Sequence, residues 1–83
     1  MNPQERFAAN LRRARTDAGL SQEELGRRCG LHRTEVSLLE RAGREPRLGT
    51  IVKLARALRS TPDALLAGAQ NQSPPWGETG SKR

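Results

Sequence analysis

Apolar side chains recur near the start of the chain at Phe7, Leu11, Ala14 and Ala18, with Arg6, Arg12, Arg13 and Asp17 between them. Spacings of i, i+4, i+7 and i+11 are the stripe of an amphipathic helix, which Gly19 stops. Ser21 then opens the run Ser-Gln-Glu-Glu, a capping-box pattern in which the Ser21 oxygen and the Glu24 carboxylate satisfy each other's free backbone donors. The pattern predicts a second helix from Gln22 to about Cys29, with Leu25 and Cys29 facing inward and Gly30 in the usual C-cap place. After Gly30, Leu31 and His32, a third helix is predicted from about Arg33 to Arg41, with Val36 and Leu39 on its inner face. Gly43, Glu45-Pro46 and the neighbouring arginines break the pattern, because a residue before proline is pushed out of the helical region. Leu48, Ile51, Val52, Leu54, Ala55 and Leu58 mark a fourth helix with a wide apolar face. Thr61-Pro62-Asp63 opens a fifth, with Thr as N-cap, Pro in the first turn and Asp at the positive end of the dipole. Leu65 and Leu66 are its apolar content, and Gly68 closes it.

From Ala69 the run AQNQSPPWGETGSKR has one large apolar side chain, Trp76, too little burial to offset the entropy of ordering it. The expected organisation is a helical domain over residues 1–68 and a flexible, disordered tail over 69–83, in which Trp76 is a stray residue rather than a partner anchor. Eighty-three residues is room for one small domain. Phe7 and Trp76 are the whole aromatic content, so the core must come from Leu, Ile, Val and Ala on closely packed helices. The expected fold is all-α with five helices. No internal repeat of a solenoid is visible. The opening run MNPQERFAANLRR is polar where a secretory signal would be apolar, and no stretch approaches the roughly 18 apolar residues of a membrane span. A soluble, cytoplasmic location is expected.

Fifteen Lys plus Arg against nine Asp plus Glu leave a formal charge of +6, the balance of a chain whose partner is a polyanion. Nucleic acid leads the list of partners. Thirteen of the cations are Arg, whose planar fork suits bidentate contacts to phosphate or guanine. A single cysteine, Cys29, excludes an internal disulfide, and a single histidine, His32, cannot build a metal site with it alone. Neither a metal nor a cofactor is expected. An enzyme is not expected either, for there is no Gly-rich phosphate loop after a strand and no nucleophile with a base in reach.

Whether Gln22 to Arg41 is a helix-turn-helix or only a helical hairpin is decided by spacing. In this window the fourth, eighth, tenth, fifteenth and eighteenth positions are Leu25, Cys29, Leu31, Val36 and Leu39, the apolar set that pins two helices to a domain. Gly26 falls at the fifth, where two backbones approach, and Gly30 at the ninth, where the turn needs a conformation that a Cβ penalises.

With these residues in place, GLSQEELGRRCGLHRTEVSLLERAGREPRLGTIVKLARAL resembles the Cro and phage-repressor type of helix-turn-helix protein, often called the XRE family. The resemblance runs from about Arg6 to Gly68 and implies a lambda-repressor-like fold whose third helix lies in the major groove of double-stranded DNA. It implies base contacts from His32, Arg33 and Thr34, then Ser37 and Leu38 one turn later, with Arg33 suited to the two acceptors of a guanine. It implies phosphate contacts from Gln22, at the positive end of the second helix, and from Arg41, Arg44 and Arg47. It also implies a partly buried ion pair between Arg15 and Glu40 that fixes the reading helix, so Glu40 is structural. The chain departs from the family at Gly26, where Ala is usual and where Gly should cost about 1 kcal/mol, and at Ala42, where the family usually has Gly.

The implied function is transcriptional regulation, as repressor or autoregulator, by a homodimer on a pseudo-palindromic operator. Half-sites about one helical turn apart call for two copies. Leu65 and Leu66 point about 100° apart on a helix, so one can enter the core while the other, taken as Leu66, meets a twin across a two-fold axis. The rival reading is an interaction module, such as an antitoxin, that uses this fold chiefly to bind a protein. For His32 a helix cap or DNA contact is preferred over metal or proton chemistry, since it lacks an acidic or Cys partner at useful spacing. Cys29 is read as a small buried hydrophobe.

Overall fold

The computed structural model describes residues 1–69; the tail expected beyond them, Trp76 included, lies outside the described residues. The helices are α1 (Pro3–Asp17), α2 (Gln22–Cys29), α3 (Arg33–Glu40), α4 (Leu48–Ala57) and α5 (Pro62–Leu65). Side chains cap four of the five: Asn2, Ser21, His32 and Thr61 each accept a first-turn N–H. α4 starts at Arg47 without such a cap. The box at Ser21 and Glu24 forms as the sequence predicts, and its hydrogen bonds hold the Glu24 carboxyl below the usual carboxylate range. A second box at Asn2 and Glu5 starts α1 a full turn before Phe7. Its signal, Asn-Pro-Gln-Glu, has the same spacing as Ser21 to Glu24 and was legible.

α2 packs on α3 and α4, α1 packs on α3, and α5 bridges α1 and α4. The core they enclose holds Phe7, Leu11, Leu25, Cys29, Val36, Leu39, Ile51, Leu54, Ala55 and Leu65. Burying a side chain of this size contributes about 1.5–3 kcal/mol, so the core is the main force holding α3 in place. Cys29 behaves as the small hydrophobe expected: burial pushes its thiol up, and its Sγ rests 3.8 Å from the Lys53 carbonyl. Two amide side chains add polar staples. Asn10 Nδ2 donates to the Leu65 and Ala67 carbonyls at 2.9 and 2.8 Å, and Gln4 Nε2 to the Ala42 carbonyl at 2.8 Å.

Several expectations need correction. Ala18 is not part of the buried stripe, because α1 ends at Asp17 and the chain turns away through Gly19 at φ 74°. Leu48 and Val52 are not core residues either: α4 presents Ile51, Leu54 and Ala55 to the interior, leaving Leu48 78% exposed and Val52 36%. Leu65 is fully enclosed, which removes it from any partner surface, whereas Leu66 is 36% exposed. Ala69, expected in the tail, still donates its N–H to the Leu66 carbonyl at 3.0 Å. Among the described residues no helix is long and apolar enough to cross a membrane.

Candidate nucleic-acid interface

The turn between α2 and α3 is built from two glycines with different duties. Gly30 sits at φ 74°, the left-handed conformation that glycine adopts without penalty. Gly26 accepts the Leu31 N–H at 2.8 Å, and a Cβ built on it would overlap the Leu31 carbonyl oxygen. By helix propensity alone Gly26 is a weaker choice than Ala by about 1 kcal/mol. The structure reverses that, because the backbone of the turn occupies the space a methyl group needs. Past α3 the relation is mirrored: Ala42 stands at φ 57°, so this second departure from the family carries backbone strain that Gly would relieve.

α3 starts at His32, whose Nδ1 accepts the Thr34 N–H at 3.0 Å with the Thr34 hydroxyl 2.9 Å away. The ring is thereby the N-cap of α3. At the opposite end, Glu40 is the anchor. Arg15 Nε and Nη2 donate to its two oxygens at 2.6 and 3.0 Å, while Arg15 Nη1 reaches the Leu20 carbonyl at 2.8 Å. Their side chains are only 12% and 3% exposed, and the hydrogen bond that Arg15 donates to Glu40 raises its guanidinium pKa above the ordinary value. Gln22 Nε2 adds a third donor to Glu40 at 3.1 Å. α1, α2 and α3 therefore share one charge-assisted knot, and each donor narrows the orientation of α3. The family resemblance implied the Arg15–Glu40 pair; it did not imply the participation of Gln22.

The other side of α3 is open. Arg33 and Thr34 in its first turn are exposed, Ser37 and Leu38 one turn on are half-buried, and Arg41 just past the helix is exposed with its Nε 3.4 Å from the Ser37 carbonyl. Arg33, Thr34, Ser37 and Leu38, expected to meet bases with His32, thus share this face with Arg41, expected to meet phosphate. Leu38 has a local task too, since its side chain lies against Gly43 and its carbonyl accepts the Gly43 N–H at 2.8 Å. Arg44 and Arg47 stand exposed in the loop between α3 and α4, and Arg44 Nε lies 3.4 Å from Glu35, a residue the sequence reading passed over. Gln22 stands at the start of α2 and donates its amide N–H to Glu40.

Residues 11–65 match the family described as Helix-turn-helix. The chain belongs to the helix-turn-helix family. Control protein C.SmaI of Serratia marcescens is 39% identical to this helix-turn-helix chain over 74 residues, 87% of this chain and 88% of its own length. The restriction-modification controller protein C.AhdI of Aeromonas hydrophila superposes with a TM-score of 0.73 at 44% identity, covering 75% of this chain and 94% of that one. The P22 c2 repressor protein, solved in complex with synthetic operator 9T, superposes with a TM-score of 0.70 at 31% identity over 75% of this chain and 94% of its own. The expected all-α, phage-repressor-like fold is thus the fold of this helix-turn-helix protein.

Proposed function

We propose that this chain is a transcriptional regulator that reads double-stranded DNA with the outer face of α3 in the major groove. The observation that carries the reading is the asymmetry of that helix: Glu40 ties its inner face to α1 and α2, while Arg33, Thr34 and Arg41 stand exposed on the other side. Base contacts fall to His32, Arg33, Thr34, Ser37 and Leu38. Phosphate contacts fall to Gln22, Arg41, Arg44 and Arg47, helped by the positive end of α2. The helical part through Gly68 is the binding unit, and no catalytic step enters the account. The relatives support this reading in the words of their names: a control protein, a restriction-modification controller and a repressor held on an operator. Action as a repressor or autoregulator agrees with those names.

Assembly as a homodimer on a pseudo-palindromic operator follows from the small reach of one helix. Leu66, just past the end of α5, is an apolar residue left at the surface, and Leu48 and Val52 are exposed on α4. Leu66→Glu should give a helical monomer with weakened operator binding; a mutant that still sediments as a dimer places the contact elsewhere.

Fluorescence anisotropy on labelled duplex DNA at increasing salt tests the function. With about 6 to 10 phosphate contacts per dimer, affinity should fall about 10³- to 10⁵-fold between roughly 50 and 200 mM salt. Protein that leaves duplex DNA unbound at the lowest salt, yet copurifies with a second polypeptide, would overturn the reading in favour of an interaction module.

A further inference from the structure

α1, α2 and α3 each carry a glutamate at their third position, and the three are not used alike. Glu5 accepts the Asn2 N–H at 3.0 Å and Glu24 accepts the Ser21 N–H at 2.8 Å, so both fold back to complete their helix caps. Glu35 does neither. α3 is capped by His32 alone, and the Glu35 carboxylate lies 3.4 Å from Arg44 Nε. With Leu31, Arg44, Glu45, Arg47 and Thr50 it lines an open cleft between α3, the loop after it and the start of α4. Its side chain is 29% exposed and that of Arg44 56%, and an ion pair of such exposure contributes little to stability. The positive end of the α3 dipole favours an acid in this turn by about 0.3–1 kcal/mol, but the carboxylate caps nothing and points instead to the basic loop. For DNA binding it is a liability, since it sets negative charge among arginines that approach a polyanion.

We propose that Glu35 is a specificity-determining residue of the reading surface, whose carboxylate accepts a hydrogen bond from the exocyclic amino group of a cytosine at one position in each half-site. This inference rests on the reading of α3 as the major-groove helix. Glu35 belongs to the first turn of α3 with Arg33 and Thr34, and in this docking mode the first turn meets base edges. In the major groove the N4 amino group of cytosine is a donor, whereas the guanine edge offers acceptors. Arg33 and Glu35 are thus chemically complementary readers, one for each kind of edge. The carboxylate also repels the phosphates of every duplex, and only a site that supplies the amino donor offsets that repulsion. Discrimination then arises from a penalty on wrong sequences as much as from a gain on the right one. Arg44, held beside Glu35 in the free protein, turns to the phosphates when the base engages the acid.

Selection of bound sites from random duplex DNA by the wild-type protein and by Glu35→Gln tests this, together with affinities for the best site and for an unrelated duplex. Circular dichroism confirms that each variant is folded, and Glu35→Ala serves as the second variant. Both variants should bind unrelated DNA severalfold more tightly. Glu35→Ala should also lose about a factor of ten in preference for cytosine at one position per half-site, the size of one good base contact, while Glu35→Gln, which keeps an acceptor oxygen, loses less, and the other positions are unchanged. Arg44→Ala should keep that preference. Folded Glu35 variants that select the wild-type bases at every position overturn the proposal, even if their affinity rises. A wild-type protein that selects no sequence at all overturns the reading of α3 and this inference with it, a result distinct from the failure of Glu35 alone.

Discussion

On the inner face of α3, Val36, Leu39 and Glu40 are 0%, 1% and 9% exposed, and each meets side chains from other helices. On its outer face, Arg33, Thr34 and Arg41 are exposed, and the hydrogen bonds they make stay within His32 to Arg41. One helix of eight residues thus carries two kinds of constraint. The inner residues are fixed by a close-packed interior, in which even a methylene is felt. The outer ones can change without disturbing the fold, so a target sequence can be altered while the scaffold is kept. Stability and recognition should therefore separate cleanly when either face is mutated.

The inner face gives the largest expected effect. Glu40→Ala leaves the Arg15 guanidinium buried without its carboxylate and should destabilise the protein by about 3–5 kcal/mol, measured by urea unfolding. Loss of under about 1 kcal/mol would show that Glu40 does not organise the three helices. Removing both charges together, as Arg15→Met with Glu40→Leu, should be much milder, because no unpaired charge remains.

Next comes the turn that aims the helix. Gly26→Ala should destabilise by about 1–3 kcal/mol, as overpacking against backbone does, and thermal melts followed by circular dichroism will show it. A more stable mutant would mean that the turn moves freely to admit a methyl group. The smallest effect is expected at the other end of α3, where Ala42→Gly relieves the φ of 57° and should stabilise by about 0.5–1 kcal/mol, the strain removed being partly offset by the greater freedom of Gly in the unfolded chain. Operator affinity should stay unchanged, since Ala42 offers only its carbonyl to Gln4.

Much of this was legible in the residues. Ser21 with Glu24, and Gly30 after Cys29, fixed both ends of α2 because capping and left-handed turns have local chemical signatures. The Arg15–Glu40 pair came from the resemblance to a family; nothing local links residues 25 positions apart. What was missed depends on three-dimensional neighbours. Leu48 and Val52 fit an apolar pattern, yet periodicity does not reveal how much of a helix face its neighbours cover. The spacing marked Gly26 as a place where backbones approach, but helix propensity, which favours Ala there, contains nothing of the Leu31 carbonyl that returns across it. Glu35 was passed over for a similar reason: its partner Arg44 lies in the basic loop, and its failure to cap α3 is visible only when the His32 ring is seen in that role.

The central claim is that the outer face of α3 reads bases while the loop beyond it holds phosphates. Arg33→Ala and Arg44→Ala, each carried through selection from random duplex DNA and an unfolding titration, test it most directly. Arg33→Ala should lose about 1–3 kcal/mol of operator binding and relax base preference at one position per half-site. Arg44→Ala should weaken all sequences alike, and both proteins should keep their folding stability within about 0.5 kcal/mol. An Arg33→Ala protein that retains the full wild-type base preference would contradict the account, because α3 would then not be the reader.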